Sequence, residues 1–277
     1  MTSSGTTGAP QDTVLGVIVP AFNEERSVEQ IIQRVLRESC VRQVVVVDDC
    51  STDGTLAAAH RAAATDPRVT VLHHDLNRGK GAAIRTGLEA VTAPLVVIQD
   101  ADLEYDPADY VKLISPILRG RADVVFGTRG FAGHSAYSYW FVVGNRLVTT
   151  STNILFNCFI QDMETGFKVM RTALMRRLNL KGNRFDIEPE ITGRILRLGY
   201  RIYEVPIEYV ARTRAQGKKL TWRDGVMALV VLLRIRLTTD RGLFGEPDPY
   251  HDDRLNKLDA ALMATGTADT NRPLSDE

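Results

Sequence analysis

Short β-branched runs alternate with amphipathic stretches from about residue 14 to residue 128. Val28, Ile31, Ile32, Val35 and Leu36 recur at helical spacing, which predicts a helix over 28–38 with one apolar face. The same pattern places helices over 54–64, 81–91 and 107–118. Between them, the runs 15–19, 43–48, 69–72, 95–99 and 124–127 read as strands. Asp53 precedes one helix as an N-cap, and Asp106-Pro107 opens another. Strands alternating with helices predict an α/β fold with a mostly parallel sheet covered on both faces. In such sheets ligands lie beyond the carboxyl ends of the strands. Those ends carry Pro20-Ala21-Phe22-Asn23-Glu24, Asp48-Asp49 and Asp100-Ala101-Asp102.

The second half is less regular. Residues 137–160 are apolar and Thr-rich with one charge, Arg146, and predict a helix or a broken helix. A strand over 167–170, a helix over 187–198, a strand over 201–209 and a helix over 222–237 follow. One domain thus spans 14–237, divided near residue 129. The ends, 1–13 and 238–277, are expected to be loosely held, with a short helix over 253–263. No run approaches the roughly 20 apolar residues of a spanning helix, and residues 1–12 lack the apolar core of a signal peptide. Cys40, Cys50 and Cys158 are widely spaced, which argues against a zinc site or a disulfide framework and suits a reducing cytoplasm.

Charge changes this picture only when divided. The 277 residues carry 34 Lys+Arg and 34 Asp+Glu. Residues 171–237 hold 15 basic and 6 acidic groups, while 238–277 hold 4 and 9. Neutrality therefore conceals a basic segment behind an acidic tail. That segment contains no recognisable nucleic-acid module, so nucleic acid is not expected as a partner.

The sharpest chemical feature is Asp100-Ala101-Asp102-Leu103-Glu104 directly after an apolar strand. Carboxylates so placed can face one hard cation, Mg²⁺ or Mn²⁺, and leave sites for diphosphate oxygens. Asp48-Asp49 can accept hydrogen bonds from a base or a ribose, whereas Asp53 reads as turn chemistry. Asn77-Arg78-Gly79-Lys80-Gly81 lies between a strand and a helix and offers backbone N–H groups and a cation to phosphate. It matches neither a P-loop nor a dinucleotide fingerprint. His73-His74 read as surface residues.

In order, VPAFNEE, VVVVDDCSTDGT, NRGKGAA, QDADLEYDP, FGTR, DMETGFK and EVPIEY followed by ARTRAQGKK resemble glycosyltransferase family 2. The resemblance covers roughly 14–237 and implies the GT-A fold, a Rossmann-like three-layer sandwich. Within the family the chain looks most like polyprenyl-phosphate sugar synthases of the dolichol-phosphate mannose or glucose type. It implies that Pro20, Phe22, Glu24 and Asp49 surround the nucleotide, with Lys80 and Asp100 beside them. Asp100 and Asp102 would hold the metal with Glu104 adjacent. Arg129 looks like the arginine that meets the acceptor phosphate, and Arg212 like the one that closes over the diphosphate. The chain departs from the synthases beyond Arg212. Gly217 stands five residues on, where they usually place a glycine at three, and Lys218-Lys219 follow it directly. Arg212, Arg214, Lys218 and Lys219 all remain candidates for phosphate contact.

The implied reaction moves a hexose, with inversion, from a nucleotide-diphosphate sugar such as GDP-mannose or UDP-glucose. An ionised polyprenyl phosphate acceptor needs only arginines to position it. A hydroxyl acceptor needs a base, for which Asp162 is the candidate. A catalytically inactive nucleotide- or membrane-binding member is the reading of another class. Trp222, Arg223, Met227, Val230, Val231, Leu233, Arg234 and Arg236 form either an interfacial helix on an anionic membrane or a core helix. Tyr137, Tyr139, Trp140 and Phe141 are open between an acceptor groove and ordinary core. The implied location is cytoplasmic, peripheral to the membrane, and a homo-oligomer is compatible with the sequence.

Overall fold

The computed structural model describes residues 13–129, 139–184, 186–211, 222–239 and 243–245. Strands β1 (Leu15–Ala21), β2 (Val41–Asp48), β3 (Val69–His73) and β4 (Leu95–Ile98) alternate with helices α1 (Val28–Arg37), α2 (Thr55–Thr65) and α3 (Lys80–Ala90). A 3₁₀ turn, Pro107–Asp109, leads into α4 (Tyr110–Leu118), with Asp106 accepting from the Ala108 N–H at 3.0 Å. Then come β5 (Val124–Arg129), α5 (Tyr139–Phe156), β6 (Lys168–Arg171), α6 (Thr172–Arg177), α7 (Ile187–Arg197), β7 (Ile202–Ile207) and α8 (Trp222–Leu237). The expected elements of 14–237 are all present. The short helix α6 is an addition, starting directly where β6 ends.

The seven strands run in the order β3-β2-β1-β4-β6-β5-β7. β6 is antiparallel to both neighbours, and every other pairing is parallel. The unbroken valine run of β2 is explained by this burial on two faces. Val44 and Val46 pack with Val28, Ile31, Ile32 and Val35 of α1, while Val45 and Val47 pack with Ala83, Ile84 and Leu88 of α3. Pro206 is tolerated because β7 is an edge strand. A third cluster, Val148, Ile160, Met163, Ala228 and Leu232, joins α5 to α8.

Three non-glycine residues adopt left-handed backbone just beyond the ends of three adjacent strands. They are Asn23 (φ 55°), Cys50 (φ 61°) and Leu103 (φ 63°), after β1, β2 and β4. Such strain, of order 1–3 kcal/mol each, gathers where a site constrains the chain. It marks this end of the sheet.

Candidate active site

Asp49, expected at the nucleotide base, turns into the segment after β3. Its Oδ1 accepts from the Arg78 N–H at 2.9 Å and lies 2.7 Å from His74 Nδ1, while Oδ2 accepts from the Gly79 N–H at 2.7 Å. His74 Nε2 lies 2.9 Å from Thr86 Oγ1. His74 is therefore buried, contrary to the surface position expected. Two partners on opposite ring nitrogens offset the cost of removing it from water. His73 stays half-exposed and meets Asp48 Oδ2 at 2.9 Å.

The helix start at α3 is not the open phosphate cradle that its sequence suggests. Asn183 O accepts from the Gly81 N–H at 2.8 Å and the Ala82 N–H at 3.3 Å. Any side chain at Gly79 or Gly81 would strike the Asn183 or Gly182 carbonyl, and Gly79 has φ +90°. These glycines let α3 dock against residues 181–184, which Arg85 and Glu190 hold from either side. With these amides taken, the Lys80 ammonium is the charged group at this helix start.

Lys80 Nζ lies 2.7 Å from Asp100 Oδ1 and 3.2 Å from Glu188 Oε1. Glu188 Oε2 accepts at 2.5 Å from Lys168 Nζ, which also donates to Thr165 O at 2.7 Å and lies 5.1 Å from the Phe126 ring centroid. The result is an alternating chain, Asp100–Lys80–Glu188–Lys168, drawn from the segment after β4 and from α3, α7 and β6. Burial disfavours the charged form of Lys80, yet Asp100 and Glu188 override it and raise its pKa above the usual lysine range. Burial likewise pushes Glu188 up, and the two lysines bring it below the usual carboxylate range. Lys168 and Glu188 were missed in sequence. The available signal was a lone cation in the apolar run Phe167–Met170.

Asp102 Oδ1 accepts from the Glu104 N–H at 3.1 Å, closing a tight turn under Leu103. Glu104 is not gathered with the two aspartates as expected, because its Oε2 accepts from Tyr209 OH at 2.5 Å. Among the described residues no three His, Cys, Asp or Glu side chains come together as a complete metal site. Asp100 and Asp102 still offer hard oxygen donors at a strand end, which suits Mg²⁺ or Mn²⁺ when a diphosphate supplies further oxygens. A Cβ on Gly166 would sit 3.1 Å from Asp100 Oδ2 and 3.2 Å from the Tyr105 ring, so this glycine sets the carboxylate's rear wall.

Arg129 and Asp162, predicted separately, meet in a bidentate pair, Nε to Oδ2 and Nη2 to Oδ1, both 2.7 Å. The Arg129 N–H and Asn145 Nδ2 also donate to Asp162, at 3.2 Å each. Burial raises the Asp162 pKa, but the Arg129 charge and these hydrogen bonds outweigh it and hold the carboxyl below its usual range. A carboxylate so held is a weaker proton acceptor than a free one, which weighs against the base expected for a hydroxyl acceptor. The Arg129 guanidinium lies over the Tyr209 ring, 5.2 Å from its centroid.

Pro20 is buried in β1, in register with Val47 of β2. Phe22 is half-buried just beyond, and Glu24 Oε2 accepts from Ser27 Oγ at 2.8 Å. Arg212 and Lys218 lie outside the described residues, as do the side chains of Trp140, Phe141, Trp222 and Arg223.

The family model of glycosyl transferase family 2 matches residues 16–178. The chain is 31% identical to the undecaprenyl-phosphate mannosyltransferase of Micrococcus luteus, across 73% of this chain and 85% of that protein. It is 30% identical to the polyprenol monophosphomannose synthase of Mycolicibacterium smegmatis, across 73% and 79%. Glucosyl-3-phosphoglycerate synthase from Mycobacterium tuberculosis, solved with uridine diphosphate, superimposes with a TM-score of 0.65 at 21% identity, across 87% and 88%. The same enzyme has been solved with Mn²⁺ and uridine diphosphate. This likeness establishes the fold, which is the GT-A arrangement expected.

Proposed function

The chain belongs to glycosyl transferase family 2, and from that premise we propose that this sugar-transferring enzyme moves a hexose from a nucleotide-diphosphate donor to a polyprenyl phosphate. The observation behind the acceptor is the capture of Asp162 by Arg129. A hydroxyl acceptor needs a free base, whereas an ionised phosphate needs a positioned cation. Arg129 keeps Nη1, which has no partner among the described residues, for that task. The named activities of the two relatives point the same way.

On the donor side, Asp100 and Asp102 would hold Mg²⁺ or Mn²⁺, which supplies positive charge to the leaving diphosphate. Lys80 adds a second cation, oriented by Glu188. Asp49 acts through the backbone, fixing Arg78 and Gly79 so that Lys80 starts α3 in place. Phe22 and Glu24 lie at the β1 end of the same rim, and Arg212 and Lys218 are proposed to close over phosphate. Preorganised charge at the leaving group does most to lower the barrier in such transfers.

We further propose a peripheral position on the cytoplasmic face of an anionic membrane. No described helix is long and apolar enough to cross one. α5 and α8 lie side by side: a Cβ on Gly225 would meet Val148, and Arg236 Nε donates to Leu155 O at 2.9 Å. Each nevertheless exposes an apolar stripe at helical spacing: Tyr139, Val143, Leu147 and Ile154 on α5, and Val226, Val230, Leu233 and Leu237 on α8. The core face of α8 is Ala228, Leu232 and Ile235. The two sequence readings of this helix are thus compatible, because opposite faces serve them. Exposed Arg234 flanks the stripe with positive charge.

The test is a panel of nucleotide sugars incubated with polyprenyl phosphate and Mn²⁺ or Mg²⁺. A lipid-linked sugar from one donor is expected. Its absence for every donor would refute the proposal.

A further inference from the structure

Glu164 is the one ionisable side chain of the 162–168 segment that has so far been given no role. It stands between Asp162, paired with Arg129, and Thr165, whose carbonyl accepts from Lys168. Two residues on, the Gly166 N–H donates to Tyr105 OH at 2.8 Å, and Gly166 backs onto Asp100 Oδ2. Five residues of chain therefore run from the acceptor arginine to the donor aspartate, with Glu164 at their middle. Its side chain is only partly buried and, among the described residues, forms no hydrogen bond or ion pair. All neighbouring acids of the segment are held: Asp162 by Arg129, and Glu188 by Lys80 and Lys168.

Inversion requires the transferred sugar to sit between leaving diphosphate and attacking phosphate. If these lie at Asp100/Lys80 and at Arg129, the sugar lies over Glu164. We infer that Glu164 accepts hydrogen bonds from hydroxyls of the transferred hexose and so helps to select the donor sugar. This rests on the donor and acceptor placement proposed above. Burial pushes the Glu164 carboxyl up to about 7, with Glu188 and Asp162 adding to the shift against Lys168 and Arg129. An unpaired, partly desolvated carboxylate gains more from a hydroxyl donor than a solvated one does. A sugar lacking or inverting the matching hydroxyl leaves it unpaired, which is how such groups discriminate.

The experiment compares the wild type with Glu164→Ala and Glu164→Gln by calorimetry, in Mn²⁺, using UDP, GDP, UDP-glucose and GDP-mannose. For the donor that the wild type prefers, Glu164→Ala is expected to weaken the sugar nucleotide about tenfold to a hundredfold, the worth of one or two hydrogen bonds to a charged group. Its affinity for the bare diphosphate should not change. Glu164→Gln, which keeps a carbonyl acceptor, should recover most of the loss. Equal weakening of diphosphate and sugar nucleotide would overturn the inference and assign Glu164 a structural role. Intact donor affinity with turnover lost equally in both variants would overturn it in favour of proton transfer. A wild type that binds a sugar nucleotide more tightly than its diphosphate, yet forms no lipid-linked product, overturns the acceptor assignment alone.

Discussion

Two ion clusters meet the ends of the 162–168 segment and are built on opposite plans, one partly exposed at Asp100 and Lys80 and the other fully buried. On the proposed donor side, Asp100, Lys80, Glu188 and Lys168 form an open chain in which Lys80 and Glu188 each serve two partners. On the proposed acceptor side, Arg129 and Asp162 close on each other through two parallel bonds. A shared ion can exchange one partner for a ligand while keeping the other. A bidentate pair cannot do so without leaving charge buried and alone. The donor cluster is therefore suited to admit a metal and a diphosphate, and the acceptor pair to brace one strand end while a single guanidinium nitrogen works.

The contrast predicts a ranking. Asp162→Ala should cost the most stability, about 3–5 kcal/mol in urea unfolding, because it strands Arg129. A loss under about 1 kcal/mol would mean the pair is no brace. Lys80→Met should unfold at higher urea than Asp162→Ala, since Glu188 keeps Lys168. Its turnover should fall about a hundredfold or more, as expected when a preorganised charge at the leaving group is removed. Similar urea midpoints for the two variants would erase the distinction.

Acid and base sharpen the comparison in opposite directions. Asp162 has its pKa lowered from the ordinary 3.8, so its contribution is present above that value and lost as pH falls through the folded pKa. Glu164, raised from 4.5 to about 7, contributes stability below 4.5 that is lost as pH rises through about 7. Glu164→Gln should thus gain on the wild type in melting temperature as pH rises from 4.5 through about 7, whereas the wild-type advantage over Asp162→Asn should shrink as pH falls below 3.8. The smallest stability effect is expected away from both clusters. Leu233→Glu, on the exposed stripe of α8, should change stability by no more than about 0.5 kcal/mol. It should nonetheless reduce cosedimentation with phosphatidylglycerol vesicles, and unchanged sedimentation would remove that helix from the membrane proposal.

Periodicity exposed nearly every element here because β2 and α1 are amphipathic or doubly buried in ways that leave a plain pattern. Position in the sheet was less legible. Nothing local in Lys168–Arg171 says that this strand enters antiparallel between β4 and β5. Placement at a strand end was legible, as for Asp100, Asp102 and Arg129. The site was misread where a partner distant in sequence decides the outcome. Glu104 reaches for Tyr209, His74 is drawn inward by Asp49, and the amides that open α3 are taken by Asn183. Short-range pattern holds no record of such pairings.

The placement of β6 also dictates an order of assembly. Strands β1 to β4 can pair as they leave the ribosome, each close in sequence to a partner already made. β5 cannot join them, since its route to β4 runs through residues 168–171, and β7 pairs only with β5. Until residue 171 has emerged, the nascent protein is a four-stranded half-sheet with the β4 edge open, a template for pairing with other chains. The long closure that β6 makes is the slow kind of contact in folding. It carries Lys168 into the sheet ahead of Glu188 on α7 and ahead of β7, so the charge network is completed only after the centre of the sheet has closed.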